Sequence, residues 1–258
     1  MKPEKNRRRV CHFSCGAASA VAAKLTLANY PRVAVVNAFV AEEHDDNRRF
    51  LRDVEQWLGV EIVQLRDTTH NASAYEVFRR SRFIKSRNGA KCTSVVKRRV
   101  LDAWKSPDDV HVLGYTVEEK NRADRYLDHE PDAEFPLIDA GVTKAECLAI
   151  LDRTGIILPV MYRMGYSNAN CIGCVKGGAG YWNKIRRDFP DRFEEMAAIE
   201  ELVGEAGFLF RDRNTGKRIS LRQLDPASGR HDEPEIECGF VCLAVEDQLA
   251  DKAIGGGR

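Results

Sequence analysis

The ten residues VCHFSCGAAS, positions 10–19, carry the clearest structural signal in this sequence. Residues 10–13 are an apolar run typical of a buried strand, and a turn of serine, cysteine, glycine and alanine follows at residues 14–19. An alanine-rich helical pattern then begins. A small-residue turn between a strand and a helix presents free backbone N–H groups and the positive end of the helix dipole to an anion. The segment therefore predicts a phosphate-binding loop, with tight packing alone as the alternative.

Strand and helix patterns alternate on the C-terminal side of this turn. β-Branched apolar runs at residues 32–39, 60–65 and 110–114 predict further strands, and helical periodicity separates them. Such alternation favours the α/β class with a doubly wound, mostly parallel sheet. At the carboxyl end of the second strand, Asn37 and Phe39 are expected to line a nucleotide crevice at the switch point of that sheet.

Two helices are marked by capping residues. Asp45 and Asp46 predict the cap of a helix that Gly59 can end. Thr143 and Glu146 form a capping-box pattern for a later helix.

The character of the sequence changes near residue 165, where glycine and cysteine become concentrated. A polar, turn-rich stretch follows two further helical segments. We expect a nucleotide-binding α/β domain over residues 1–165 and a cysteine-bearing C-terminal segment of helices and loops over residues 166–258.

Composition limits the class of protein. Forty basic and 39 acidic side chains among 258 residues nearly cancel, so the total charge gives no general attraction to nucleic acid. No apolar run approaches the roughly 18–20 residues of a membrane span. The basic first nine residues do not lead into a signal-peptide core. We expect a cytoplasmic protein with no membrane partner.

One segment departs from this balance, because residues 77–101 contain no acidic side chain. An acid-free basic segment predicts an anion-binding surface, with a solvated basic face as the alternative. We expect Lys97 to be the residue nearest the bound anion. The basic side chains of the segment are Arg79, Arg80, Arg82, Lys85, Arg87, Lys91, Lys97, Arg98 and Arg99.

Eight cysteines are many for a reducing compartment, where structural disulfides are rare. Cys11 and Cys147 lie in apolar periodic segments and are expected in the core. Cys171 and Cys174 form a CxxC pair that can place two thiolates on one metal ion, and Cys92 could supply a third. Four interpretations remain open: an iron–sulfur cluster, zinc, a redox dithiol, or inert thiols. The six histidines show no ligand spacing and are expected to be structural or exposed.

Several motifs, in this order along the chain, resemble those of the phosphoadenosine phosphosulfate (PAPS) reductase family of the adenine nucleotide α-hydrolase superfamily. SCGAAS at residues 14–19 resembles the SGGxDS phosphate loop, and GYTVEEKNR at 114–122 resembles GxRxxESxxR. Lys91-Cys92 followed by Lys97 resembles the cysteine–lysine segment, and FPLID at 135–139 the YPLI segment. CIGC at 171–174 occupies the CxxC position, and Glu237-Cys238-Gly239 resembles the ECG motif near the C-terminus.

The chain also departs from these motifs. Cys15 and Ala18 replace a glycine and an aspartate of the loop, and Thr116 stands where arginine is usual. Thr93 follows Cys92 where the cluster-bearing members have a second cysteine. The segment Gly239-Phe240-Val241-Cys242 follows Cys238, and the usual histidine is missing.

The loop, the sheet edge and the resemblance together imply a site for an adenine nucleotide, namely adenylyl sulfate (APS), PAPS or ATP. The resemblance favours a [4Fe–4S] cluster over zinc, with Cys92, Cys171, Cys174 and Cys242 as ligands. The nucleotide-binding residues are expected to be Ser14, Cys15, Gly16, Ala17, Ser19, Asn37, Phe39, Lys97, Gly114, Thr116, Glu119 and Arg122.

The implied activity is reduction of activated sulfate to sulfite. Cys238 would be the nucleophile, and Cys242 or a thioredoxin-like partner would supply the second thiol. A competing interpretation makes Cys238 and Cys242 the last metal ligands. An alternative function is ATP-dependent adenylation of a nucleic acid for sulfur insertion, and a third is a non-catalytic nucleotide-binding module.

Overall fold

The apolar run before the small-residue turn forms the first strand, β1, in the computed structural model of the protein. The structure describes residues 5–86, 89–212, 214–229 and 236. The strands found there are β1 (Arg9–His12), β2 (Val33–Ala38), β3 (Ile62–Leu65), β4 (Lys85–Ser86), β5 (Gly89–Ala90), β6 (Val110–Val112), β7 (Phe210–Arg211) and β8 (Arg218–Ile219).

The helices agree with the periodic segments of the sequence. A π-helix covers Thr93–Arg98, and short 3-10 turns cover Val117–Glu119, Glu205–Gly207 and Leu221–Gln223. In the described part of the chain, no helix has the length and apolar character needed to cross a membrane. The α-helices are α1 (Ala17–Asn29), α2 (Asp46–Leu58), α3 (Ala74–Ser81), α4 (Arg99–Trp104), α5 (Lys120–Leu127), α6 (Pro136–Asp139), α7 (Lys144–Arg153), α8 (Val160–Arg163), α9 (Ala179–Asp188) and α10 (Pro190–Val203).

The described residues fall into two compact units. The first, called the sheet unit, is drawn from residues 5–39, 44–65 and 101–169. The second, called the cysteine unit, is drawn from residues 40–43, 66–100 and 170–229.

A four-stranded parallel sheet in the order β3-β2-β1-β6 forms the centre of the sheet unit. Val10 on β1 lies opposite Ala34 on β2 and His111 on β6. Helices flank the sheet, so the α/β class and the parallel sheet are confirmed. The core combines side chains of β1, β2, β3 and β6 with those of four helices, among them Phe13, Ala20, Val35, Phe50, Val54, Leu137, Cys147 and Leu151.

The strand order identifies where a ligand of this sheet would bind. From β1 the order runs through β2 to β3 on one side, whereas β6 lies on the other side, so the topology reverses between β1 and β6. Ligands of open α/β sheets bind outside the carboxyl ends of the strands at such a reversal. The turn at residues 14–19 follows β1 and Gly114 follows β6, so both adjoin this position. Asn37 lies on β2, one strand away from the expected place.

In the cysteine unit, α10 packs against α3 and α9. The buried Glu200 carboxylate of α10 accepts hydrogen bonds from the Leu209 and Leu221 backbone N–H groups at 2.8 and 2.6 Å. Burial raises the pKa of Glu200 to about 7. This carboxylate therefore ties the segments on either side of the β7–β8 hairpin to the helix.

The basic segment is interrupted, because the β4–β5 hairpin separates α3 from the π-helix. It is also not acid-free in space, since Arg79 makes ion pairs at 2.8 Å with both Glu76 and Glu195. Arg79 is therefore neutralised by acids from outside the segment.

The two predicted caps also differ in outcome. Thr143 and Glu146 form the reciprocal capping box at the start of α7, which confirms that prediction. Asp45 precedes α2 without a side-chain cap, and Asp46 accepts instead from the Val160 N–H at 2.7 Å. The aspartate that was expected to cap its own helix therefore caps α8.

Candidate functional site

The turn after β1 is closed by a small hydrogen-bond network. Ser19 Oγ, in the first turn of α1, donates to the Gly16 carbonyl at 2.8 Å and accepts from the Ser14 N–H at 3.2 Å. Ser14 Oγ lies 3.3 Å from the same hydroxyl. Gly16 precedes α1 and provides no side-chain cap. The N–H groups at the start of α1, including that of Ala17, and the positive end of the helix dipole therefore face the space beside Gly16.

Cys15 occupies the strained position of the loop. Its φ of 57° lies in the left-handed region, which explains why the resembling loops carry glycine there. The Cys15 side chain is buried, and the Asn37 amide donates to its Sγ at 3.6 Å and to the Phe13 carbonyl at 2.9 Å. Asn37, itself buried, therefore supports the loop from within the sheet unit. Phe39, at the end of β2, lies 4.2 Å beneath the Arg48 guanidinium.

Gly114 allows the segment after β6 to approach the loop at residues 14–19 closely. A Cβ atom built on Gly114 would lie 2.7 Å from Ser19 Cα and 2.8 Å from Ser19 N. Because these are backbone atoms of α1, no side-chain movement could relieve the overlap. The glycine of the GYTVEEKNR motif therefore acts by packing against the start of α1.

The rest of that motif is internally paired. Thr116 and Glu119 form a reciprocal capping box. Arg122 donates to Glu119 at 2.5 Å and lies 4.2 Å over the Tyr115 ring. Glu119 therefore neutralises Arg122, and Thr116 contributes no charge to this part of the sheet unit.

A buried imidazole pair, which the sequence did not indicate, lies at the end of β1. His12 Nε2 and His111 Nδ1 are 2.7 Å apart, and the Lys105 ammonium lies 3.2 Å from His111 Nε2. Because an ammonium group only donates, His111 Nε2 accepts, and its Nδ1–H donates to His12. Burial is the main cause that lowers the pKa of both imidazoles, and for His12 the pKa falls well below its ordinary value. His111 and Lys105 lower the pKa of His12 further, and Lys105 lowers that of His111.

This pair should make stability depend on pH. In the native state the imidazoles stay neutral, whereas in the unfolded chain they titrate near pH 6.5. The unfolded state therefore binds more protons below about pH 6.5, and the free energy of unfolding should fall as pH drops from 6.5 towards 5. For His12→Gln, which retains an acceptor, we expect this slope to become shallower by up to about 1.4 kcal/mol per pH unit. Urea unfolding at a series of pH values measures the slope; equal slopes would contradict the interpretation.

Three predicted metal ligands come together in the cysteine unit. Cys92, Cys171 and Cys174 line one cavity of about 30 Å³, called the thiol cavity, and Lys97 lines it too. Cys92 is the residue before the π-helix, and Thr93 and Lys97 lie on that helix. The Thr93 hydroxyl is buried and has no hydrogen-bond partner within the described residues. π-Helical turns are rare in proteins, and many of those that occur lie at functional sites. The π-helix therefore supports a functional role for this cavity.

Two tyrosine hydroxyls hold the CxxC turn. Tyr181 Oη accepts from the N–H groups of Gly173 and Cys174 at 3.0 and 2.9 Å, and donates to the Cys171 carbonyl at 3.0 Å. Tyr75 Oη donates to the Ile172 carbonyl at 3.2 Å. A single hydroxyl thus satisfies three backbone groups between the two cysteines.

Lys85 interacts electrostatically with Cys174, whereas the charge of Lys97 is paired with an acid. Lys97 lies 3.8 Å from the buried Glu43 carboxylate, and Lys85 Nζ donates to the Val175 carbonyl at 2.5 Å. Burial lowers the pKa of Lys85, and the nearby Cys174 opposes this shift. A cation beside a thiol favours the thiolate, the form that attacks electrophiles and binds metals.

The donor set of the thiol cavity is suited to a soft metal, since it consists of three thiols. Among the described residues, no three His, Cys, Asp or Glu side chains are arranged closely enough to hold a metal ion. The cavity therefore gathers the ligands without forming a complete site.

Cys238 and Cys242, the predicted nucleophile and its resolving thiol or fourth ligand, lie outside the described residues. The two core cysteines, Cys11 and Cys147, are buried as predicted. No protein-family model and no curated protein significantly matches the chain.

Proposed function

We propose that the protein is an enzyme of the PAPS reductase type, which binds an adenylyl-sulfate nucleotide and reduces its sulfonyl group to sulfite. The observation that carries the proposal is the phosphate loop at the reversal of the sheet, where Ser14, Gly16 and Ser19 surround the start of α1 and Gly114 packs against it. The thiol cavity adds a second chemical group that such an enzyme needs, because it places three cysteines beside lysines.

In this proposal the loop holds the phosphate groups through N–H and hydroxyl donors. The Cys238 thiolate attacks the sulfonyl sulfur, the bond between that sulfur and the phosphate oxygen breaks, and the nucleotide leaves as a phosphate anion. A second thiol, from Cys242 or a thioredoxin-like partner, then attacks the Cys238 sulfur. Sulfite leaves, and the two thiols become a disulfide, which supplies the two electrons of the reduction.

Cys92, Cys171 and Cys174 would hold a metal or cluster within the cysteine unit, where it would supply a centre that couples folding to metal binding. Lys97 lines the same cavity and is paired with the Glu43 carboxylate at 3.8 Å.

A nucleic-acid-directed ATP pyrophosphatase is the second candidate. Arg80 and Arg82 are exposed at the end of α3, next to the exposed ring of Phe83. Exposed arginines beside an aromatic ring suit the backbone and bases of a single strand. In that case ATP would be cleaved at its α-phosphate and pyrophosphate released.

The two candidates separate in one experiment. Anaerobically purified protein is incubated with APS, PAPS or ATP, and sulfite, pyrophosphate and the intact protein mass are measured. The reductase proposal expects sulfite and a sulfonate adduct on Cys238, with Cys238→Ser as the matched variant that forms neither. Pyrophosphate from ATP with no adduct and no sulfite would support the second candidate and contradict the first.

A further inference from the structure

Tyr162 reaches the phosphate loop from a distant part of the chain. A Cβ atom built on Gly16 would lie 3.4 Å from Tyr162 Oη and 3.6 Å from Ser14 Oγ. Both hydroxyls therefore lie beside Gly16, on the side where a side chain at that position would point. Tyr162 lies on α8, more than 140 residues from the loop, and nothing in its local sequence marks it as a ligand-binding residue.

The position of α8 is fixed by charged groups of α2. Asp46 Oδ2 accepts from the Val160 N–H at 2.7 Å, and Arg49 Nη2 donates to the Leu158 carbonyl at 3.3 Å. Asp46 and Arg49 are themselves paired at 2.7 Å. Hydrogen bonding to Arg49 lowers the pKa of Asp46, so the carboxylate stays charged and continues to accept the hydrogen bond from the Val160 N–H. Both sides of Pro159 are thus anchored, and the turn holds Tyr162 at the loop.

The loop needs donors of this kind, because its own sequence contains no lysine or arginine between residues 13 and 19. Thr116 stands where the resembling motif has arginine, and Arg122 is paired with Glu119. Backbone N–H groups and hydroxyls are therefore the donors that the loop itself contributes. A phenol donates one hydrogen bond and carries no charge at neutral pH.

We propose that the Tyr162 hydroxyl is a phosphate-binding donor that completes the loop, a role that rests on the proposed function of the loop as a nucleotide-phosphate site. The Tyr162 hydroxyl then donates to a phosphate oxygen beside Gly16, near Ser14 Oγ. Asp46 and Arg49 act as positioning residues, because they hold α8.

The test measures binding of inorganic pyrophosphate, ATP and adenosine by isothermal titration calorimetry. For Tyr162→Phe we expect about tenfold weaker binding of pyrophosphate and ATP, the effect of removing one hydrogen bond to a charged group. Adenosine binding should stay as in the parent. Tyr30→Phe is the matched control, since Tyr30 follows the other end of α1. It should leave all three affinities unchanged.

The Gly16→Val variant tests phosphate binding by the loop separately from the role of Tyr162. Gly16 has φ −108° and ψ 157°, an extended conformation that valine adopts, so the fold should persist while the branched side chain blocks the phosphate. Loss of binding in Gly16→Val with no loss in Tyr162→Phe would overturn the role of Tyr162 and leave the loop assignment standing. Equal binding in Gly16→Val and the parent would overturn the loop assignment and the inference with it. Tighter binding in Tyr162→Phe would show that the phenol obstructs the loop, which also overturns the inference.

Discussion

Gly114→Ala is expected to destabilise the sheet unit and to abolish phosphate binding together. The added methyl group would lie 2.7–2.9 Å from backbone atoms of Ala18 and Ser19, a distance that real Cβ contacts do not reach. Overpacking of this kind costs about 1–3 kcal/mol, and here β6 or the first turn of α1 has to move. The first turn of α1 carries the N–H groups that face Gly16. If that turn moves even slightly, these N–H groups no longer point at a bound phosphate.

Thermal unfolding and titration with inorganic pyrophosphate measure the two effects. A loss of 1 kcal/mol lowers the melting temperature by roughly 2–4 °C in a chain of this size. Gly59→Ala is the control for adding a methyl group to a glycine, since Gly59 has a φ of 76° and open space around it. It should cost about 1 kcal/mol through left-handed backbone strain and leave pyrophosphate affinity unchanged. If Gly114→Ala binds pyrophosphate like the parent, the close approach of β6 does not shape the loop.

Local patterns predicted the parts of the fold that depend on neighbours in sequence. The capping box of Thr143 and Glu146 joins residues three positions apart, so the sequence contains the whole interaction, and α7 begins there. The same holds for Gly59, whose left-handed conformation ends α2. Periodicity likewise located β1, β2, β3 and β6, because buried parallel strands are continuous apolar runs.

Interactions between distant segments explain where local interpretation was wrong. The interval 77–101 contains no acid, yet Glu195 reaches Arg79 from α10 across 116 positions. Asp46 has every local property of a helix cap, yet its carboxylate is engaged by Val160, 114 positions away. Local spacing carries no information about such partners, and so the charge of a segment in sequence differs from its charge in space.

The residues of the candidate site also divide into those that the local sequence indicates and those that only the folded chain brings together. The motif glycines and serines could be named from the sequence, whereas Tyr162, Tyr181 and the His12–His111 pair could not. Each of these acts through a partner that only the folded chain brings near. A tyrosine in an amphipathic helix usually packs in the core through its ring, and the sequence contains no sign that its hydroxyl has partners.

Tyr181→Phe is expected to release the CxxC turn. The hydroxyl satisfies two N–H groups and one carbonyl between Cys171 and Cys174, and its removal leaves three buried backbone groups without this partner. A buried polar group without a partner costs about 1–3 kcal/mol, so the total loss should be on the order of 3–5 kcal/mol. The released turn should also expose its thiols, and we expect the two cysteines to react with a disulfide reagent at least tenfold faster than in the parent.

Tyr75→Phe is the matched control, because Tyr75 makes one hydrogen bond to the same turn, to the Ile172 carbonyl. It should cost about 1 kcal/mol and change thiol reactivity little. Chemical unfolding gives the two losses in stability, and thiol labelling followed by peptide mass analysis assigns the reactivity to Cys171 or Cys174. Equal losses in the two variants would mean that water replaces the Tyr181 hydroxyl at no cost. The geometry argues against this, because the Tyr181 hydroxyl makes three hydrogen bonds at 2.9–3.0 Å and burial raises the pKa of its phenol well above the ordinary value.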